Sequence, residues 1–62
     1  MIRLLERLGW GNFRTHYVDP SEVSNLSSNG SYETIVVMKN GATILVDKPI
    51  EDVVKMLESE EK

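Results

Sequence analysis

Apolar and polar positions along the 62-residue chain fall into two periods. Near the C-terminus, Ile50, Val53, Val54 and Leu57 recur at i, i+3, i+4 and i+7, one face of an α-helix. Pro49 suits the first helical position, where a missing N–H costs nothing, and Glu51 and Asp52 sit where the helix dipole favours anions. The pattern predicts a helix over about 49–58 and a solvated acidic tail over 58–62.

Upstream, the period shortens to two. Residues 32–38 and 42–46 are rich in β-branched side chains. Asn40-Gly41 joins them, and Asn-Gly is the strongest two-residue hairpin signal because both positions must accept positive φ. Val36 and Val37 point to opposite faces, as do Ile44 and Leu45, which places this hairpin centrally in a sheet. A second Asn-Gly, at Asn29-Gly30, turns a weaker strand over 22–26 back into 32–38. Residues 13–18 alternate loosely and end at the turn signal Asp19-Pro20. Residues 2–8 read two ways. Arg, Leu and Glu favour a helix capped by Gly9, yet Ile2, Leu4 and Leu8 also share one face of a strand. The strand is preferred, because the sheet needs the member and Gly9-Trp10-Gly11 resembles a hairpin connection.

These elements make one α+β domain over residues 1–62, a small antiparallel sheet of four or five strands with a C-terminal helix across one face. The predicted core is Ile2, Leu4, Phe13, Val18, Ile35, Val37, Ile44, Val46, Ile50, Val53, Val54 and Leu57. One such helix covers one sheet face, so Val36, Met38 and Leu45 are expected on the other, as a self-association surface giving a homodimer or larger assembly. The competing arrangement curls the sheet into a half-barrel that buries this face internally.

Composition narrows the chemistry. A chain this short buries only about 60% of its unfolded surface, and with no cysteine it has neither disulfides nor thiol chemistry to lean on. No apolar run approaches the ~20 residues of a membrane span, and the charges within residues 1–8 make a poor signal peptide. A cytoplasmic location is the default, and the Asn-X-Ser sequons at Asn25 and Asn29 are chance matches on that reading. The net charge of −3 is uneven. Residues 1–18 carry Arg3, Arg7 and Arg14 against Glu6, whereas the remainder is acidic.

Catalytic readings are weak. His16 is the only histidine and lacks a Ser-His-Asp or Cys-His spacing. Asp47, Glu51 and Asp52 match no cation loop, and Gly9-Trp10-Gly11 lacks the further glycine or lysine of a phosphate cradle. No enzyme activity, metal or cofactor is expected. Trp10 has two readings: the core is preferred, because so small a chain needs its largest apolar group inside, while its glycine-flanked corner would set it outward as a binding residue. With Arg3, Arg7 and Arg14 it forms the candidate partner-binding cluster.

Residues 1–4, Arg7-Leu8-Gly9, Phe13, residues 34–36, Asn40-Gly41, Val46 and residues 50–54 together resemble FlbD-type proteins, short chains encoded in bacterial flagellar operons. The resemblance spans most of the chain and departs from the family near residues 9–11 and 27–31. It implies an accessory role in motility, with no catalytic residues to transfer. Small RNA-binding regulators of the carbon-storage type share the element order, but their glycine-rich N-terminal signature and their arginine near the last strand have no counterpart here. The expectation is therefore a non-enzymatic protein-binding module, flagellar or a phage-type modulator of a host protein, its partner's identity open. The alternative is a nucleic-acid-binding regulator using the basic N-terminal third.

Overall fold

The computed structural model describes residues 1–60. Its elements, in chain order, are β1 (Ile2–Gly9), β2 (Asn12–Val18), a 3-10 turn (Pro20–Glu22), β3 (Val23–Ser28), β4 (Thr34–Met38), β5 (Thr43–Val46) and α1 (Ile50–Glu60). The α+β expectation holds: five antiparallel strands in the order β2-β1-β5-β4-β3, followed by one C-terminal helix. The helix runs past residue 58 to Glu60, and the last two residues of the predicted tail lie outside those described. Among the described residues no helix is long and apolar enough to cross a membrane.

The sheet must curl, and the chain shows why. β2 and β3 are opposite edges, yet only residues 19–22 connect them. Four strand spacings would separate these edges by about 19 Å in a flat sheet. The five steps from Val18 to Val23 reach at most about 18 Å fully extended. They also contain a 3-10 turn, which rises only about 2 Å per residue. The edges are thereby drawn toward each other, and the inner face becomes concave. Asp19 fixes this connection, its Oδ1 accepting from the Ser21 N–H at 3.0 Å and the Ser21 hydroxyl at 2.9 Å. These two bonds, the backbone one first, hold the Asp19 carboxyl below the ordinary aspartate range. That support is complete above the unfolded aspartate pKa and is lost as pH falls through the lower folded value.

Register sorts the side chains. Ile2 pairs with Val18, Leu4 with His16, Glu6 with both Arg14 and Val46, Val46 with Thr34 and Ile44 with Val36, so all of these share the inner face. α1 lies over this concavity against β1 and β3. The buried core is Ile2, Leu4, Val18, Val36, Ile44, Val46 and Val53, with Val23, Leu26, Met38, Met56 and Leu57 packed around it. Thr34 is also fully buried, and its hydroxyl donates to the Lys48 carbonyl at 2.9 Å, tying β4 to the entrance of α1.

The predicted core needs correction at β4 and β2. Val36, not Ile35 and Val37, faces inward, and the cause is the turn. A two-residue Asn40-Gly41 loop would set Val37 opposite Ile44. The loop instead spans residues 39–41, with Met38 N–H donating to the Ala42 carbonyl at 2.8 Å and Gly41 N–H to the Met38 carbonyl at 2.9 Å. Only Gly41 takes positive φ, at 93°, while Asn40 uses its side chain to accept from the Ala42 N–H at 2.9 Å. One residue of slip exchanges the two faces of a strand. Phe13 is 49% exposed, because its partner is Arg7 on the outer face. Among the helix residues whose burial is described, only Val53 is fully buried, with Ile50, Val54 and Leu57 partly so.

Candidate functional site

The helix leaves the convex face of the sheet uncovered. By register this face carries Arg3, Leu5 and Arg7 from β1, Phe13, Thr15 and Tyr17 from β2, Leu45 from β5, and Ile35 and Val37 from β4. Leu5 is 40% exposed and Tyr17 69%, while Ile35, Val37 and Leu45 are half-buried by their neighbours alone. Apolar surface has therefore collected on one side of the sheet, with arginines among it.

Arg3 lies directly opposite Tyr17, and Arg7 opposite Phe13. The Arg7 guanidinium turns away to Glu33, which also accepts from Asn29 Nδ2 at 3.2 Å. Arg7 and Glu33 flank β5 on either side, so their ion pair crosses its outer surface between Leu45 and Asp47. This clamp orders the middle of the face and cancels one of its positive charges.

The predicted basic cluster is divided by the fold. Arg3 and Arg7 are on the outer face, Arg14 is on the inner face opposite Glu6, and Trp10 stands at the hairpin tip, 99% exposed. Of the two readings of Trp10, the core one is overturned: a two-glycine corner carries it beyond any packing partner. The self-association set is divided too. Val36 is fully buried beneath α1 and is not available to a partner. Met38 shares its inner face, and only Leu45 lies on the open side.

Two other groups bear on chemistry. His16 Nε2 lies 2.7 Å from Glu6 Oε1, in a part-buried pair along the inner face. Among the described residues no side-chain hydroxyl bonds to the ring. Asp47, Glu51 and Asp52 are exposed, and among the described residues no three acids or histidines gather around a cation-sized space.

The sequence reading missed Leu5 and Tyr17. Their signal was the alternation of residues 13, 15 and 17, which share a face with β1 residues 3, 5 and 7. The chain matches no protein-family model, no curated protein and no solved structure.

Proposed function

We propose that this chain is a non-enzymatic protein-binding module that receives its partner on the convex face of the sheet. The observation that supports this reading is the uncovered stripe of Leu5, Phe13, Tyr17 and Leu45. Apolar groups gathered on one open face mark interaction surfaces more often than scattered ones do. Tyrosine and arginine, paired here as Tyr17 and Arg3, are the side chains that most often carry binding energy. Division of the basic cluster, with Arg14 on the inner face and Arg7 paired to Glu33, counts against the nucleic-acid alternative, which drew on Arg3, Arg7, Arg14 and Trp10 acting together.

A photoreactive benzoyl-phenylalanine at position 17 tests this reading. It should give a discrete cross-linked adduct in lysate of the source cell, and Leu45→Glu should abolish that adduct without lowering the melting temperature. Cross-linking indifferent to Leu45→Glu would remove the convex face from consideration. A flagellar accessory role is the setting suggested by the resemblance to FlbD-type proteins, and a phage-type modulator is the other. The genes on either side of this one distinguish them.

The free edge of β2 favours a second reading within the same class, a homodimer. Sedimentation equilibrium at 100 µM should then give twice the 7.0 kDa chain mass. A monomer mass at that concentration leaves only a foreign partner.

A further inference from the structure

The sheet has a second opening, inside it rather than at its edge. Among the described residues, β1 and β5 share a single pair, Glu6 with Val46. β5 ends there, and Asp47 and Lys48 lead away into Pro49 and α1. Residues 2–5 are paired with β2 on one side and have no strand on the other. Alternate backbone N–H and C=O groups of a strand point to each side, so half of this stretch's groups face the gap.

The gap opens on a cavity of about 290 Å³ whose apolar wall is Leu4, Leu5, Phe13, Val46 and Met56. A shallower groove continues it along α1 past Ile2, Met56 and Ser59. Three cations border the two spaces: Arg3 and Lys48 at the cavity, and Arg3 with Lys55 at the groove. Among the described residues none of the three is ion-paired, although Asp47 also borders the cavity and the chain is acidic overall.

An unpaired strand, an apolar hole beside it and free cations at its end suit one kind of occupant. We propose that this gap takes the last three or four residues of a partner protein as an added strand, antiparallel to β1 and continuing the line of β5. The partner's terminal carboxylate then meets Arg3 and Lys55, and an apolar side chain fills the cavity. Direction follows from the topology. A strand running as β5 does travels toward the Ile2 end of β1, which is where Arg3 and Lys55 stand. Backbone pairing supplies affinity and the hole supplies selectivity, as in other strand-addition complexes. This deepens the protein-binding reading and rests on it; the gap shares Leu5 and Phe13 with the convex stripe but does not include Tyr17 or Leu45.

The test is an NMR titration of the full chain with three N-acetylated tetrapeptides ending in leucine, valine or phenylalanine. Each is supplied with a free C-terminal carboxylate and as the C-terminal amide, and sodium decanoate serves as a non-peptide carboxylate. At least one carboxylate peptide should shift the backbone amides of residues 2–5, 47 and 48, binding about tenfold tighter than its amide. Arg3→Gln and Lys55→Gln should each weaken it by about fivefold, while Lys39→Gln, remote from the gap, should not. Three results would each overturn the proposal: no shift at millimolar peptide, equal binding of carboxylate and amide, or decanoate binding as tightly as any peptide. Leu45→Glu should leave peptide binding intact. A gap that fails this titration while position 17 still cross-links a partner sinks the gap alone.

Discussion

The two tight hairpins of this molecule are built alike and end up in opposite circumstances. β4–β5 and β1–β2 are both antiparallel, and each turns on a positive-φ glycine, Gly41 at 93° and Gly11 at 69°. In β4–β5, the inward residues Thr34, Val36, Ile44 and Val46 are all buried. In β1–β2, only Ile2, Leu4 and Val18 are, and all three sit at the end away from the turn. Toward the turn the inner face carries Glu6, Arg14 and His16, and none of the residues from Leu5 to Thr15 is buried. Strand pairing shapes a hairpin, but only a helix laid across it makes a core.

Two leucines of β1 give the sharpest contrast. Leu4 is 1% exposed and Leu8 is 49%. Leu4→Ala should cost about 2–4 kcal/mol, enough to unfold much of a domain whose whole stability is of that order. Leu8→Ala, at the irregularity between Arg7 and Gly9, should stay within about 0.5 kcal/mol. Urea denaturation followed by circular dichroism measures both. Equal costs would mean that the hairpin's far end is packed as tightly as its near end.

Thr34→Val probes the covered half without changing shape. It leaves the Lys48 carbonyl without its donor and should cost about 1–2 kcal/mol. The turns come next. Gly41→Ala and Gly11→Ala each force a Cβ into left-handed backbone, at about 1–2 kcal/mol. The same strain should read out differently. Gly41→Ala should lower the global melting temperature, because its hairpin belongs to the core. Gly11→Ala should mainly speed hydrogen exchange at residues 7–14 while the melting temperature moves less. Identical behaviour of the two variants would erase the distinction between the hairpins.

What the sequence carried was local. The 3.6-residue period with Pro49 and the first-turn acids located α1, and the β-branched runs located β4 and β5. Residues 2–8 form a strand, as the sheet's need for another member predicts. Errors arose where one residue of geometry decides two faces. Asn40-Gly41 fits a two-residue turn in every local respect, but Asn40 bonds through its side chain to Ala42 and keeps negative φ. The loop therefore takes Lys39 as well, and Val36 exchanges places with Ile35 and Val37. Curling of the sheet has its cause in the short Asp19–Glu22 connection, which becomes visible only once β2 and β3 are known to be opposite edges. The gap beside residues 2–5 depends on where β5 stops along β1. Nothing within either segment encodes that, so no local pattern could reveal it.

Trp10 marks the extreme of the exposed half and yields the smallest expected change. It is the only tryptophan, so emission excited beyond the absorption of Tyr17 and Tyr32 reports the hairpin tip. At 99% exposure, with glycines on both sides, its emission should match that of free tryptophan in water. It should barely change through a urea transition that circular dichroism follows fully. Trp10→Ala should move stability by no more than about 0.5 kcal/mol, because the side chain contacts too little to be missed. A blue-shifted emission, with a cost above about 1 kcal/mol, would show the ring packed against something. Dilution then identifies what covers it. A blue shift that persists at low micromolar protein means the tip folds back onto its own chain, closing the difference between the two hairpins. One that disappears on dilution means a second copy covers the tip, and the exposed half of the isolated chain is then half of an interface.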